Sequence, residues 1–396
     1  MKIAVIYSQD LPNTYANSIN TLKHADAFHC LGHEVTVFYI SLKKNNNLHE
    51  FYDISKEINF KVFKENFFFS LTGKFWKKIQ TTFDLLTNTG IRDVFDTQKK
   101  IADFIIQNNF DFVYARNFRA SYYIIKSGIP IVVETHTANL KNRQMEKILG
   151  LNSYTNFKIS TINEILKQNF INYGMLKENI IVQEDAVDIS KFKKLKQSKT
   201  ELRKQLNLPV NKKIITYSGS LRSGKGLNSL FLVSEKMKEN EDILFLIIGG
   251  ANSEKQEYEK QAKEKALYNI LFTGFVLQDK IPFYLKASDI LIMLYSNLEK
   301  NRIMDINTTS PIKLFEYMAS QTPIIASNIP TVAKIIEHKK HALMPKTDDI
   351  AEIKKSILTL LANKELRQLL TKNAFELAKK HTYTKRCKNL IYGKNS

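Results

Sequence analysis

The sequence predicts two doubly wound α/β domains, each a Rossmann-like parallel sheet flanked by helices, and three observations predict it. The chain is 396 residues long, beyond the size at which a single core keeps growing. Its apolar segments are short, rich in Ile and Val and not strictly alternating, as strands buried on both faces are. A segment of helical periodicity separates each from the next, and the series runs twice, with a basic stretch near Val187 to Lys199 between the runs.

The first series opens with a strand from Lys2 to Tyr7, a helix from about Ala16 to Leu31, Gly32 as its stop, and a strand through Val35, Val37 and Phe38. Further strands are expected at Phe112 to Ala115, Ile131 to Val133, Lys158 to Thr161 and Ile180 to Val182. The second series places them at Ile214 to Tyr217, Leu244 to Ile248, Ile270 to Thr273, Ile290 to Leu294 and Pro323 to Ala326. The expected domains are 1–187 and 188–379, with a tail of 380–396, helical around Tyr383 to Tyr392, returning to the first. Ligands of open parallel sheets lie beyond the carboxyl ends of the strands, so two such domains facing each other would enclose a cleft for the chemistry.

Composition narrows the classes. Hydrophobic residues make up 43% and charged residues 25%, the balance of an ordinary globular enzyme rather than a disordered or fibrous chain. No run approaches the roughly 20 apolar residues a spanning helix needs, and the start is too short for a signal peptide, so a cytoplasmic protein is expected. Cys30 and Cys387 suggest neither a disulfide framework nor a zinc site. The net charge of +20 draws the chain toward anionic partners. Much of it sits in runs such as Lys191, Lys193, Lys194, Lys196 and Lys199, which read better as solvated surface than as a binding patch. No nucleic-acid module is present, and nucleic acid is not expected as a partner.

One segment breaks the rhythm. Phe67, Phe68, Phe69, Phe75 and Trp76 stand beside Lys74, Lys77 and Lys78, a mixture suited to the headgroup level of an anionic membrane. The other reading is a loop whose rings pack onto the first domain.

Two strand-to-helix junctions carry the chemistry. Tyr217-Ser-Gly-Ser-Leu-Arg-Ser-Gly-Lys-Gly226 runs from a strand through a glycine-rich turn into a helix, so free amides with Lys225 and Arg222 would suit a phosphate or diphosphate. The Walker spacing and GxGxxG are both absent, which weakens ATP and NAD readings. At Thr309-Ser-Pro-Ile-Lys-Leu-Phe-Glu-Tyr-Met-Ala319, Ser310 reads as an N-cap and Pro311 as the first helical residue. Lys313 adds charge there, and Glu316, on the same helical face, is either a ribose ligand or a structural acid.

Taken together, Gly32-His-Glu-Val35, Glu134-Thr-His136, Gly219 to Gly226, Phe272-Thr-Gly274 and Lys313-Leu-Phe-Glu-Tyr-Met-Ala319 resemble glycosyltransferase family 4, and the likeness runs over nearly the whole chain. The resemblance implies a GT-B fold, a retaining reaction, no obligatory metal and a nucleotide-sugar donor of UDP or GDP type held mainly by the second domain. By position, Lys225 would neutralise the diphosphate, Glu316 would hold the ribose, and the amides around Pro311, Ile312 and Lys313 would face the phosphates. Gly219, Ser220, Arg222, Gly249, Phe275 and Ser310 complete the implied donor side. His136 would position the transferred sugar. Asn17, Ser18, Lys23, Arg116 and Glu134 fall on the acceptor side or its loop, with a structural ion pair as the other reading of Arg116.

Several family positions differ here. Tyr15 and Ala16 stand in place of paired glycines, Ser220 in place of an arginine, Asp185-Ala-Val-Asp188 in place of an Asn-Gly-Val-Asp turn, and Thr308 in place of a glutamate. A branch of the family resembles this chain at Ala16-Asn-Ser-Ile19, Lys23, the Asp-x-Val-Asp turn and Ser310-Pro-x-Lys-Leu-Phe-Glu-Tyr-Met-Ala319. The implied function is sugar transfer to a glycan or lipid-linked acceptor in bacterial surface polysaccharide or glycolipid assembly, peripheral to the membrane. A catalytically inactive GT-B partner subunit is the alternative.

Overall fold

The computed structural model describes residues 1–41, 47–64, 97–116, 118–137, 148–221, 223–296 and 311–393. Phe67, Phe68, Phe69, Lys74, Phe75, Trp76, Lys77 and Lys78 lie outside the described residues, as do Arg222, Thr308 and Ser310.

Strands β1 (Lys2–Tyr7), β2 (Glu34–Ile40), β3 (Asn59–Phe63), β4 (Phe112–Ala115), β5 (Ile131–Thr135), β6 (Phe157–Thr161) and β7 (Ile180–Val182) form one parallel sheet in the order β3-β2-β1-β4-β5-β6-β7. Strands β8 (Lys213–Ser218), β9 (Ile243–Ile248), β10 (Ile270–Gly274), β11 (Ile290–Met293) and β12 (Ile324–Ala326) form a second, in the order β10-β9-β8-β11-β12. Each sheet reverses its strand order once, between β1 and β4 and between β8 and β11, and open α/β sheets hold their ligands at such a switch.

β3 is the strand that sequence reasoning missed. Its residues Asn59-Phe-Lys-Val-Phe63 are exposed to half-buried at the sheet edge, so they carry no continuous apolar run.

The contacts divide the chain into Met1–Gln183 with Tyr383–Ser396, and Glu184–Thr382. The helix Tyr383–Tyr392 belongs to the first unit, where it packs along the helix Ala16–Cys30. The first unit is therefore discontinuous in sequence, and the second is inserted into it.

Alternation along the strands builds the cores. In β9, Leu244, Leu246 and Ile248 enter one apolar cluster while Ile243, Phe245 and Ile247 enter the cluster on the other face. In β5, Ile131 and Val133 join the core that contains Ile6, Val113 and Phe157. Glu134 therefore points to the opposite face of that sheet, where it meets Tyr114 of β4.

Candidate active site

On the second domain the candidate site is made of strand ends. Gly219 follows β8 with φ +139°, and its amide donates to the Ile248 carbonyl at 2.9 Å. A side-chain carbon on Gly219 would stand 3.0 Å from Lys313 Nζ. Gly249, at φ +109°, lies so close that a side-chain carbon would be 2.3 Å from the Gly219 carbonyl oxygen. Only glycine allows this approach of two strand-end turns and a lysine.

Ser220 contributes through its backbone, where its carbonyl accepts from the Tyr217 hydroxyl at 2.7 Å. Phe275, one residue beyond β10, is 44% exposed, next to Gly274, whose carbonyl accepts from the Gly249 amide at 2.8 Å.

Two helix starts converge on this place. One helix, Leu227–Glu235, begins at Gly226, which has φ +72° and presses against Leu294 just past β11. The other, Ile312–Ser320, has Pro311 one position earlier, in the N-cap place rather than as the first helical residue. Among the described residues, neither helix has a side-chain cap or an acid in its first turn. Elsewhere in the same domain Ser198, Asp349 and Asn363 cap helices with their side chains. The two starts at the motif thus leave amides for an anion.

The charges deepen that demand. Lys313 stands in the first turn of its helix, where the dipole disfavours a cation. Burial, and then the ammonium of Lys225, hold Lys313 well below the usual lysine range, while Glu316 one turn on works against them. Lys225 itself sits 5.5 Å from the Tyr295 ring centre. The structure thus brings Gly219, Gly249, Lys225, Lys313 and Glu316 together at the ends of β8 and β9.

On the first domain the residues expected on the acceptor side turn mostly inward. Ser18 is buried and its hydroxyl donates to Asn13 Oδ1 at 2.7 Å. Asn17 Oδ1 accepts from the Tyr7 hydroxyl at 3.3 Å. The Lys23 ammonium donates to the Asp53 carbonyl at 2.8 Å, with the residue only 7% exposed.

Arg116 Nη1 donates to Glu134 Oε1 at 2.7 Å, so of its two readings the ion pair is the one observed. His136 Nε2 lies 2.8 Å from the same oxygen, with its side chain 26% exposed. Burial alone would raise the Glu134 carboxyl, but Arg386, then Arg116 and the His136 hydrogen bond outweigh it and hold it well below its usual range. Behind it lies His24, pushed down to about 3 by burial first and by Arg386 next, and stacked on Tyr114 at 4.7 Å.

Comparison with known proteins bears on the second domain first. Residues 198–377 match the family model described as Glycosyl transferases group 1. That stretch contains Gly219, Ser220, Lys225, Gly249, Lys313 and Glu316.

Over 141 residues, 35% of this chain, the sequence is 32% identical to an Escherichia coli (strain K12) protein named for colanic acid biosynthesis glycosyl transfer, WcaI. Over 158 residues, 40% of the chain, it is 23% identical to a Bacillus subtilis (strain 168) protein named for teichuronic acid biosynthesis, the glycosyltransferase TuaC. The matches span 34% and 36% of those relatives, about a third of their lengths.

Solved structures extend the likeness to the whole chain. Anabaena HepE in complex with UDP aligns over 99% of this chain and 98% of its own, with TM-score 0.71 and 16% identity. A glycosyltransferase from Rickettsia africae aligns over 100% and 99%, with TM-score 0.71 and 19% identity. The fold is GT-B.

Within this GT-B chain, sequence reasoning missed Arg386, Asn20 and His24, all buried around Glu134. One signal was present. In the last helix Tyr383, Arg386, Cys387 and Leu390 form the buried stripe, and a charge on an inner stripe requires a partner. Among the described residues, no helix is long and apolar enough to cross a membrane.

Proposed function

We propose that the chain is a retaining glycosyltransferase that moves a sugar from a UDP- or GDP-type nucleotide sugar to a glycan or lipid-linked acceptor during assembly of a bacterial surface polysaccharide or glycolipid. The observation that carries this reading is the meeting of Lys225 and Lys313 at two helix starts that have no side-chain cap among the described residues, inside the stretch that matches group 1 glycosyl transferases. Two cations with free amides suit a diphosphate better than a single charge. The complexes of HepE with UDP and with UDP-glucose support a uridine donor.

Transfer breaks the bond between the anomeric carbon and the diphosphate oxygen, and the electron pair leaves with that oxygen. Lys225, Lys313 and the amides at Ile312 would stabilise the charge it gains, in positions set before the reaction, with no obligatory metal. Glu316 would accept from the ribose hydroxyls. The acceptor hydroxyl attacks on the face the diphosphate leaves and gives its proton to the departing phosphate, which retains the configuration.

On the first domain, His136 is read as the group that positions the sugar. The net charge of +20 and the segment around Trp76 favour a lipid-linked acceptor met at the cytoplasmic face of a membrane.

The test is a thermal shift without added metal against UDP, GDP, CDP, ADP and their sugars. A saturating ligand at 100 times its Kd stabilises by about 2.7 kcal/mol. A shift with one nucleotide, lost in Lys225→Ala, supports the reading and fixes the donor class. No shift with any of them would sink it and favour the inactive partner subunit. Turnover that is the same in folded Lys225→Ala and Glu316→Ala would sink it equally.

A further inference from the structure

We propose that Glu134, clamped by Arg386 of the helix Tyr383–Tyr392, is a positioning residue for His136. It fixes which ring nitrogen carries the proton and where the ring points. Only the activity arm of the test rests on the function proposed above.

Glu134 is saturated. Its Oε1 accepts from Arg116 at 2.7 Å, His136 at 2.8 Å and Asn20 at 3.3 Å, and its Oε2 accepts from Arg386 at 2.7 Å and Tyr114 at 2.8 Å. A carboxylate offers about four lone-pair sites, so five donors leave no room for a ligand. Its side chain is 0% exposed. The acceptor-side contact expected of Glu134 is therefore replaced by an internal role.

Among the partners, His136 is the outlet. Its side chain is 26% exposed, against 11% for Arg116 and 3% for Arg386. An ionised carboxylate accepts and cannot donate, so His136 Nε2 carries the proton and Nδ1 is the nitrogen left for other work. The clamp is itself braced, because Arg386 Nη2 also donates to the Gln183 carbonyl at 2.9 Å. Asn20, Tyr114, Arg116 and Arg386 come from both ends of the first unit and the middle of its sheet. A buried ion pair is weak evidence for stability by itself. One that ends on a partly exposed imidazole has a further use, since small losses of orientation are costly in a working site.

The experiment reads the His136 ring nitrogens by long-range proton–nitrogen NMR at neutral pH in the full chain, with melting temperatures for every variant. The wild type is expected to show a single tautomer protonated on Nε2. Arg386→Gln should give a mixture, and Arg386→Lys should restore most of the single form.

In the transfer assay, kcat of Arg386→Gln should fall by up to about 100-fold with the donor KM little changed. If Arg386→Gln does not fold, Glu134→Gln carries the test. Its amide nitrogen accepts from no donor, the two guanidinium groups compete for the one oxygen, and the imidazole loses its partner. A single Nε2 tautomer persisting in folded Arg386→Gln, or in Glu134→Gln, would overturn the proposal and leave Arg386 as a staple of the helix. A mixed tautomer with unchanged kcat would uphold the positioning and remove His136 from the proposed reaction.

Discussion

The Lys313 ammonium stands 3.9 Å from the centre of the Tyr217 ring. The ring cannot swing away, because its hydroxyl is held by the Ser220 carbonyl. The lysine is thus fixed over an aromatic face, with burial and Lys225 both disfavouring its charge. Its folded pKa lies below its unfolded one, so between the two the unfolded chain holds more protons and stability rises with pH. A bound diphosphate reverses the shift. Calorimetry at alkaline pH in two buffers of different ionisation enthalpy should show a proton taken up on UDP binding, and none in Lys313→Met. Binding without uptake in the wild type would mean that Lys313 is already fully charged.

The strand-end glycines should differ sharply in tolerance. At Gly274, with φ +74°, an added carbon meets only the flexible Lys255 side chain at 3.2 Å, so Gly274→Ala should cost about 1–2 kcal/mol in backbone strain. At Gly249 it meets the backbone oxygen of Gly219 at 2.3 Å. Gly249→Ala should therefore cost more than about 3 kcal/mol and lower nucleotide affinity as well. Equal urea midpoints for the two variants would contradict the close approach.

His24 gives the first domain an acid sensitivity. Its folded pKa is about 3 against an ordinary 6.5, so the folded state binds fewer protons and stability is lost as pH falls from about 6.5 toward 3. The slope of one proton is about 1.4 kcal/mol per pH unit. Glu134 adds loss of the same sign at lower pH, because its depressed folded pKa protects stability only while it stays ionised. In His24→Phe the fall in unfolding free energy between pH 6.5 and 5 should be shallower by nearly that slope. An unchanged slope would place the sensitivity elsewhere.

In the second domain Arg203 donates to Asp289 at 2.6 Å and to the carbonyls of Ala287 and Lys212 at 2.9 Å, and Asp289 also accepts the Ile214 amide at 2.8 Å. Arg203→Met leaves those acceptors buried and should cost about 3–5 kcal/mol. Lys199 reaches the same carboxylate at 2.8 Å, but its side chain is 43% exposed, and Lys199→Met should cost about 0–1 kcal/mol. Urea unfolding separates the two, and similar losses would show that the carbonyl contacts contribute little.

Strands such as β1 and β9 were legible in the sequence because burial on both faces leaves an unbroken apolar run. β3 was not, since an edge strand covered on one side reads as polar. The donor-side glycines and lysines could be found because each cluster is local in sequence, at a strand-to-helix junction. The surroundings of Glu134 could not be read that way. Arg386 lies 252 positions from the carboxylate it neutralises, and no local pattern spans that distance.

The insertion of residues 184–382 into the first unit gives synthesis a fixed order. The ribosome makes the seven-stranded sheet early, yet must deliver the whole second domain before the helix Tyr383–Tyr392 can dock. Throughout that interval Glu134 has Arg116 but lacks Arg386, and the helix Ala16–Cys30 lacks the cover that Tyr383 and Cys387 give it at His24. The half of the protein that is born first is the last to mature.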